Sequence, residues 1–330
     1  MKCRSFFLYL QKKYLYMRKL FLSIACLFLV QTIFAQEWHS INTKSEESYS
    51  TKLIKSTNES VVIDLSLNGF YTNQTSLPNS VIITNEDMAP LSEAGQPNIP
   101  SLSIPIIIND MGKMDVRVSK VEYLEYNDIE IAPSKGEFPR SINPDDVPYT
   151  YGDVYQQNEF FPATNVKLDS PYILRDFRAQ NIIVTPFAYN PVTKTLRVMH
   201  KMTIEVVSTK EEGENELARR SNTINMDSEF EKMYSNRFIN YKESGAKYDI
   251  IEEEGDLLII CHDAFMSAMQ PFVEWKRATG RNTTIVGTSV AGTSADNIKN
   301  YITSQYEDNP NLVHVLLVGD YQQLPGKYLT

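Results

Sequence analysis

The sequence predicts two unlike bodies, an all-β sandwich followed by the βαβαβ beginning of a doubly wound α/β domain. Before about residue 240, short apolar runs alternate with polar residues and are separated by Pro, Asn and Gly, which is typical of antiparallel strands. After residue 256, solid apolar runs are separated by helical segments, which is typical of buried parallel strands. The length of 330 residues also favours two domains of roughly 150 residues each.

Strands of the first body are predicted from period-two alternation and from β-branched runs. These runs lie at residues 61–67, 80–84, 104–108, 115–121 and 202–207. The clean alternation of 115–121 predicts a half-buried strand, whereas Pro105 places its run at a sheet edge or a strand start. Residues 36–60 are polar and are expected to be loosely ordered at their beginning.

A hairpin and a helix complete the predicted first body. Residues 182–184 and 196–199 flank a turn-rich connector at 189–194, so they are interpreted as the two arms of a hairpin. The segment 221–241 carries aromatic and Met residues at helical spacing. This spacing predicts one amphipathic helix that ends near the junction of the two bodies.

The second body is predicted to open with a buried strand at 257–261. Asp263 and Ser294 are expected to cap helices, and further strands are predicted at 283–286 and 313–318. Three parallel strands with few helices cannot cover both faces of such a sheet. We therefore expect this part to be the opening of a larger domain.

The junction between the bodies, residues 240–256, is polar and lacks apolar periodicity. Such a strip predicts an exposed linker, and Lys247 lies within it where a protease would reach it. We divide the chain accordingly into a leader, a β body at 36–247 and an α/β body at 248–330.

The N-terminus predicts a secretory signal peptide at residues 1–35. Arg18 and Lys19 form a basic region before the mostly apolar stretch 20–34, and Ala35 offers a small residue at the cleavage position. The apolar stretch is too short for a good membrane span. We expect a mature chain that is secreted or held at the cell surface, without a membrane span.

Composition argues against several functions. The formal net charge of −9 argues against nucleic acid or an anionic membrane as the main partner. Cys3 and Cys26 lie in the leader, so Cys261 has no internal disulfide partner. No phosphate-binding loop occurs, and His39 and His200 lack metal-ligand spacing, so we predict neither a cofactor nor a metal in these residues.

Few residues of the second body are candidates for chemistry. Cys261 and His262 suggest a nucleophile and its base, but neighbouring strand residues point to opposite faces, so we interpret Cys261 as a core residue. His314 is interpreted as an ordinary strand residue. Asp320 follows the carboxyl end of the strand at 313–318, where open α/β sheets bind ligands. Asp320 is therefore a candidate crevice residue or, equally, a turn former.

Eight short motifs follow one another across both bodies. In the first body they are PSKG at 133–136, NPD at 143–145, PYTYG at 148–152, FFP at 160–162, ILRD at 173–176 and YNPVTKTLR at 189–197. In the second body they are FVEWK at 272–276 and VLLVGD at 315–320. In this order they closely resemble the propeptide and the beginning of the catalytic domain of gingipain-type cysteine peptidases. These are secreted Arg- or Lys-specific endopeptidases of clan CD, family C25.

The resemblance implies a β-sandwich prodomain before a caspase-like α/β domain. The catalytic His and Cys of the family lie in motifs that these 330 residues do not contain. No catalytic residue is therefore assigned, and this chain alone is expected to lack peptidase activity. Calcium, which the family's catalytic domain binds, is expected only in that further region.

Two positions follow from the resemblance. Residues 238–241 align with the segment before maturation cleavage, which implies a cut between Lys247 and Tyr248. The family usually has Arg before the cut, so Lys247 leaves open whether self-cleavage or another protease acts. Arg140 resembles the basic residue of a propeptide loop that enters the specificity pocket, where a guanidinium would pair bidentately with a carboxylate. A solvated loop arginine is the alternative.

The expected function is that of the N-terminal part of a secreted cysteine endopeptidase zymogen. The β body would keep the peptidase latent and assist its folding. Its partners would be its own catalytic domain or a cognate cysteine peptidase, with proteins as substrates of the enzyme. A stand-alone inhibitor or folding partner acting in trans is the alternative, and an adhesion module is a third hypothesis that the βαβαβ pattern disfavours.

Overall fold

A computed structural model describes residues 36–42, 47–91, 93–219, 223–245 and 247–327. The predicted signal peptide, with Cys3 and Cys26, lies outside these residues. Within them, no helix is both long enough and apolar enough to cross a membrane.

The first body is built from three mainly antiparallel sheets. Its strands are β1 Gln36–Ser40, β2 Tyr49–Ser56, β3 Ser60–Leu67, β4 Gly69–Gln74, β5 Ser80–Thr84, β6 Ala89–Pro90, β7 Pro100–Ile107, β8 Met114–Tyr126, β9 Glu130–Ile131, β10 Val166–Leu168, β11 Tyr172–Leu174, β12 Phe177–Val184, β13 Phe187–Asn190 and β14 Thr195–Ser208. The sheet orders are β1-β4-β5-β9, then β10-β12-β7-β6 with β11 beside β12, and β13-β14-β3-β2 with β8 beside β14. The predicted all-β class is confirmed.

One hydrophobic core is shared by all three sheets of this body. Ile63 of β3, Phe70 of β4, Ile106 of β7 and Phe187 of β13 are each fully buried. The rings of Phe70 and Phe187 meet edge to face, with their centroids 5.5 Å apart. Burial of each such side chain contributes roughly 1.5–3 kcal/mol, so the alternation of apolar residues is the main source of this body's stability.

Three predictions for this body are wrong in part. The start of 36–60 contains β1 rather than a loose segment. The strand predicted at 115–121 is present within β8, but its predicted half-burial is wrong, because most of this edge strand lies outside the shared core and Val118 is 41% exposed. The predicted hairpin has other arms. It joins β13 to β14, whereas β12, which contains residues 182–184, pairs with β7 and β10 in a different sheet.

The segment between the bodies is folded, which corrects two further predictions. The single helix predicted at 221–241 is replaced by a strand and two helices. These elements are β15 Thr223–Met226, α1 Ser228–Arg237 and α2 Tyr241–Gly245, and they are followed by β16 Asp249–Glu252. Strands β15 and β16 pair in parallel. The exposed linker is wrong in part, since Asn240 and Ser244 are fully buried and Lys247 is half-buried, whereas residues 249–254 are exposed.

The second body is a parallel sheet, as predicted, and helices pack against each of its faces. Its elements are β17 Asp256–Cys261, α3 Met266–Ala278, β18 Thr283–Gly287, α4 Thr288–Ala291, α5 Ala295–Asp308 and β19 Leu312–Val318. Strand β17 lies between β18 and β19. Helix α3 covers Leu257 and Ile259, while α4 and α5 cover Leu258 and Ile260. The fully buried third strand is wrong in part, because Leu317 of β19 is 51% exposed.

Candidate functional site

The loop around Arg140 projects from the β body in a restrained form. Gly136 precedes the loop with a φ of +79°, in the left-handed region that favours glycine. The ammonium group of Lys135 donates to the carbonyl of Pro144 at 2.8 Å, which ties the two ends of the loop together. Arg140 itself is exposed in a turn of this loop. The loop therefore presents a solvent-exposed guanidinium on a conformationally restrained backbone.

Asp227 connects the two bodies with one carboxylate. It is 1% exposed, and one of its oxygens accepts from the N–H of Glu229 at 2.9 Å, which caps α1. The other oxygen accepts from the N–H of Gly255 at 3.0 Å and lies 3.4 Å from a guanidinium nitrogen of Arg281. Burial alone would raise the pKa of Asp227, but these donors bring it below its ordinary value. Loss of this carboxylate would release both α1 and the start of β17.

Two further side chains join the bodies. Arg175 of the β body donates to the carbonyl of Leu312, at the start of β19, at 2.9 Å. It also donates to the carbonyl of Pro310, just before β19, at 3.3 Å. His314 is a half-buried strand residue, as predicted, and its Nε2 lies 3.0 Å from a carboxylate oxygen of Glu229 on α1. The edge strand β19 is thus held against helix α1 of the β body.

The carboxylates of Asp227 and Glu229 and the imidazole of His314 approach one another within 4.8 Å. Groups of this kind can hold a divalent ion. Here the guanidinium of Arg281 and the amino end of α1 place positive charge at the same point, which disfavours a cation. We assign no metal to this group.

The two residues of the predicted cleavage position are held against the β body. Asn240 pairs with the backbone of Ile107 as a neighbouring strand would, accepting from its N–H and donating to its carbonyl, both at 2.8 Å. Burial lowers the pKa of Lys247, although the charge of Asp110 opposes this shift. Tyr248 is half-buried. The backbone here is folded rather than extended.

At the carboxyl edge of the parallel sheet, the side chains make local contacts. The carbonyl of Asp320 accepts from the N–H of Gln323 at 2.9 Å and so closes a turn, and the ligand role of Asp320 stays a prediction. Asp263 does not cap α3. Its carboxylate accepts from Ser289 and Thr288, which lowers its pKa. Cys261 is fully buried, and burial raises the pKa of its thiol, as expected of a core residue.

Several contact residues were not predicted. Asp227 stands just before α1, and a capping residue before a helical pattern is the available signal for it. Arg219 pairs with Asp110 across 109 residues, and Asn240 reaches Ile107 across 133 residues. No local pattern indicates such partners.

Comparison with known proteins agrees with this arrangement. Residues 43–247 match the family described as Propeptide_C25, and residues 250–327 match Peptidase family C25. Gingipain R1 of Porphyromonas gingivalis is 34% identical over 286 residues, which are 84% of this chain and 28% of that protein. Gingipain R2 of Porphyromonas gingivalis (strain ATCC BAA-308 / W83) is 35% identical over 259 residues, which are 77% of this chain and 35% of that protein. The chain therefore spans about a third of these relatives or less.

A solved structure described as a complex of Porphyromonas gingivalis RgpB pro- and mature domains is also similar. It superposes with a TM-score of 0.53 at 33% identity, over 58% of this chain and 97% of that chain. Together with the fold, these matches define a prodomain joined to the beginning of a peptidase domain. The chain belongs to the C25 propeptide family, and its second body is the start of a gingipain-type C25 peptidase domain. The family resemblance seen in the sequence motifs is confirmed.

Proposed function

We propose that the β body is the latency-keeping prodomain of a secreted, gingipain-like cysteine endopeptidase and that it assists the folding of the peptidase domain. The proposal is carried by the match of residues 43–247 to the C25 propeptide family. The complex of pro- and mature domains described for RgpB supports a catalytic domain as the partner of this body. Protein chains would be the substrates of the mature enzyme.

Latency would come from the Arg140 loop. The guanidinium would enter the specificity pocket of the peptidase and pair with a carboxylate through two parallel hydrogen bonds. A substrate side chain could not bind while the pocket is filled. The tie between Lys135 and Pro144 pre-shapes the loop, which lowers the entropy lost on insertion.

Maturation would follow export through the leader at residues 1–35. Hydrolysis of the bond between Lys247 and Tyr248 would separate the prodomain from the peptidase domain. The catalytic His and Cys, and any calcium site, would belong to peptidase motifs that this chain does not contain. A stand-alone inhibitor acting in trans is not favoured, because residues 250–327 match the peptidase family itself.

Titration of the chain against an arginine-specific gingipain tests the proposal, with hydrolysis of an arginyl substrate as the readout. Arg140→Ala is expected to weaken inhibition about 30-fold or more, because truncating one partner of a buried charged pair costs roughly 2 kcal/mol or more. Arg117→Ala, at an exposed position of β8, is the matched control and should inhibit like the unaltered chain.

Two results would contradict the proposal. Equal inhibition by Arg140→Ala and by the unaltered chain would refute the pocket assignment. Full peptidase activity in the presence of excess unaltered chain would refute the latency role.

A further inference from the structure

The side chain of Tyr248 lies in a pocket on the β body. The ring centroids of Tyr248 and Phe177 are 5.8 Å apart at an interplanar angle of 61°, and the guanidinium carbon of Arg219 lies 4.3 Å from the Tyr248 centroid. The phenol oxygen is 3.4 Å from both oxygens of Asp110. Burial and the charge of Asp110 raise the pKa of this phenol, which therefore stays neutral and donates. We call Phe177, Asp110 and Arg219 the Tyr248 pocket.

The walls of the Tyr248 pocket are held in place by other contacts. Phe177 is fully buried in β12. Arg219 pairs with both oxygens of Asp110, at 3.0 Å for Oδ1, and also donates to the carbonyl of Asp176. All of these residues belong to the β body. Tyr248 is the first residue beyond the proposed maturation bond. The pocket therefore holds the β body to the chain that follows this bond.

The chain before the bond is restrained as well. Tyr241 is buried, and its ring centroid lies 5.9 Å from that of Phe177. The N–H of Lys247 donates to the carbonyl of Ser244 at 3.2 Å, which continues the turn at the end of α2. Proteases cut accessible, locally unfolded segments. Both α2 and Tyr248 must therefore move before a protease binds this bond.

We infer that the Tyr248 pocket is a binding site for the aromatic side chain after the maturation bond, and that departure of Tyr248 from it controls when the bond is cut. The inference rests on the proposed cleavage position. We call the departure of Tyr248 from its pocket, which must precede cleavage, the gate. Hydrolysis adds one water across the C–N bond, leaving a carboxylate on Lys247 and an amine on Tyr248. A lysine-specific protease supplies the catalysis.

Limited proteolysis of the whole chain with a lysine-specific endopeptidase tests the gate, with mass spectrometry to quantify each cut. Arg219→Gln removes the cation over the ring and the ion pair with Asp110, yet leaves the sequence around the bond unchanged. Cutting after Lys247 should become about tenfold faster, because the local opening equilibrium loses a cation–π contact and a charge-assisted pair. Cutting after Lys201, in the middle of β14, reports unfolding of the whole β body and should not change.

Two variants complete the experiment. Tyr248→Phe keeps the ring but removes the phenol, and it should raise the rate about threefold, which is roughly the effect of one weak hydrogen bond. Tyr123→Ala is the matched control, because Arg197 lies 4.6 Å over the ring of Tyr123 at an exposed position of β8. It should leave the rate after Lys247 unchanged.

Each contrary result has its own meaning. Unchanged rates in both Arg219→Gln and Tyr248→Phe would overturn the gate, as would an equal acceleration after Lys201. Chains that are cut elsewhere, with the bond after Lys247 intact in every variant, would overturn the proposed cleavage position instead.

Discussion

The two bodies differ in how completely their sheets are covered. In the β body, side chains from three sheets share one core, and the rings of Phe70 and Phe187 have no exposed surface. In the α/β body, β19 leaves Val315 39% exposed and Leu317 51% exposed. This contrast implies that most of the stability of the described residues resides in the β body. The α/β body depends for its position on ties to the β body, of which Asp227 is the most buried.

Truncation of a core residue is expected to show the largest difference in stability between the two bodies. Phe187→Ala removes a fully buried ring, and the resulting cavity should lower the free energy of unfolding by about 3–5 kcal/mol. Val315→Ala, on the open face of β19, is the counterpart and should cost under about 1 kcal/mol. Urea unfolding followed by circular dichroism measures both. Equal losses would contradict the contrast between a closed and an open core.

Local patterns predict the elements whose burial repeats over a short period. The apolar run at 257–261 predicts β17 to within one residue, because a short run that is apolar on both faces fits a central parallel strand. Ser294 predicts the start of α5, and its hydroxyl accepts from the N–H of Asn297. The alternation at 115–121 predicts a strand within β8 but not its exposure, because no local pattern shows that both faces of this edge strand meet solvent.

The candidate site was less predictable, because its contacts are long-range. The polar strip at 240–256 has the composition of an exposed linker, yet Asn240 takes the place of a strand partner for Ile107. The Tyr248 pocket is likewise assembled from segments far apart in the chain. The Arg140 loop is different, since its own prolines and the neighbouring Gly136 already keep it out of a central strand.

Loss of the tie at Asp227 is expected to have the next largest effect. Asp227→Ala removes the cap of α1 and leaves the buried N–H of Gly255 without its acceptor, at a combined cost of about 2–3 kcal/mol. Ser294→Ala removes a cap that makes no bond between the bodies, and it should cost about 1 kcal/mol. Hydrogen exchange of the β17 amides and urea unfolding measure the difference. Equal costs for the two variants would mean that Asp227 acts only as a helix cap and does not stabilise the contact between the bodies.

The contribution of the Asp227 carboxylate to the free energy of unfolding is expected to depend on pH. Its pKa is lower in the folded chain than in the unfolded chain, where it is about 3.9, so the unfolded chain binds the proton first as the pH falls. The stabilisation by Asp227 is therefore fully present above the unfolded pKa and is lost as the pH falls through the folded pKa. The gap in unfolding free energy between the unaltered chain and Asp227→Ala should be constant near neutral pH and shrink below about pH 4. A gap that widened in acid would contradict this assignment.

The smallest effect is expected at the exposed edge of the β body. Lys201 of β14 and Glu122 of β8 form an ion pair at 3.1 Å, with side chains 56% and 58% exposed. Solvent screening and lost side-chain entropy should leave a coupling of about 0.5 kcal/mol or less. A double-mutant cycle with Lys201→Met and Glu122→Gln, repeated at high salt, measures this coupling. A value above about 1 kcal/mol, or one that salt does not reduce, would mean that charge as well as backbone pairing holds β8 on β14. It would also remove the contrast between this pair and the buried pair of Asp227 and Arg281.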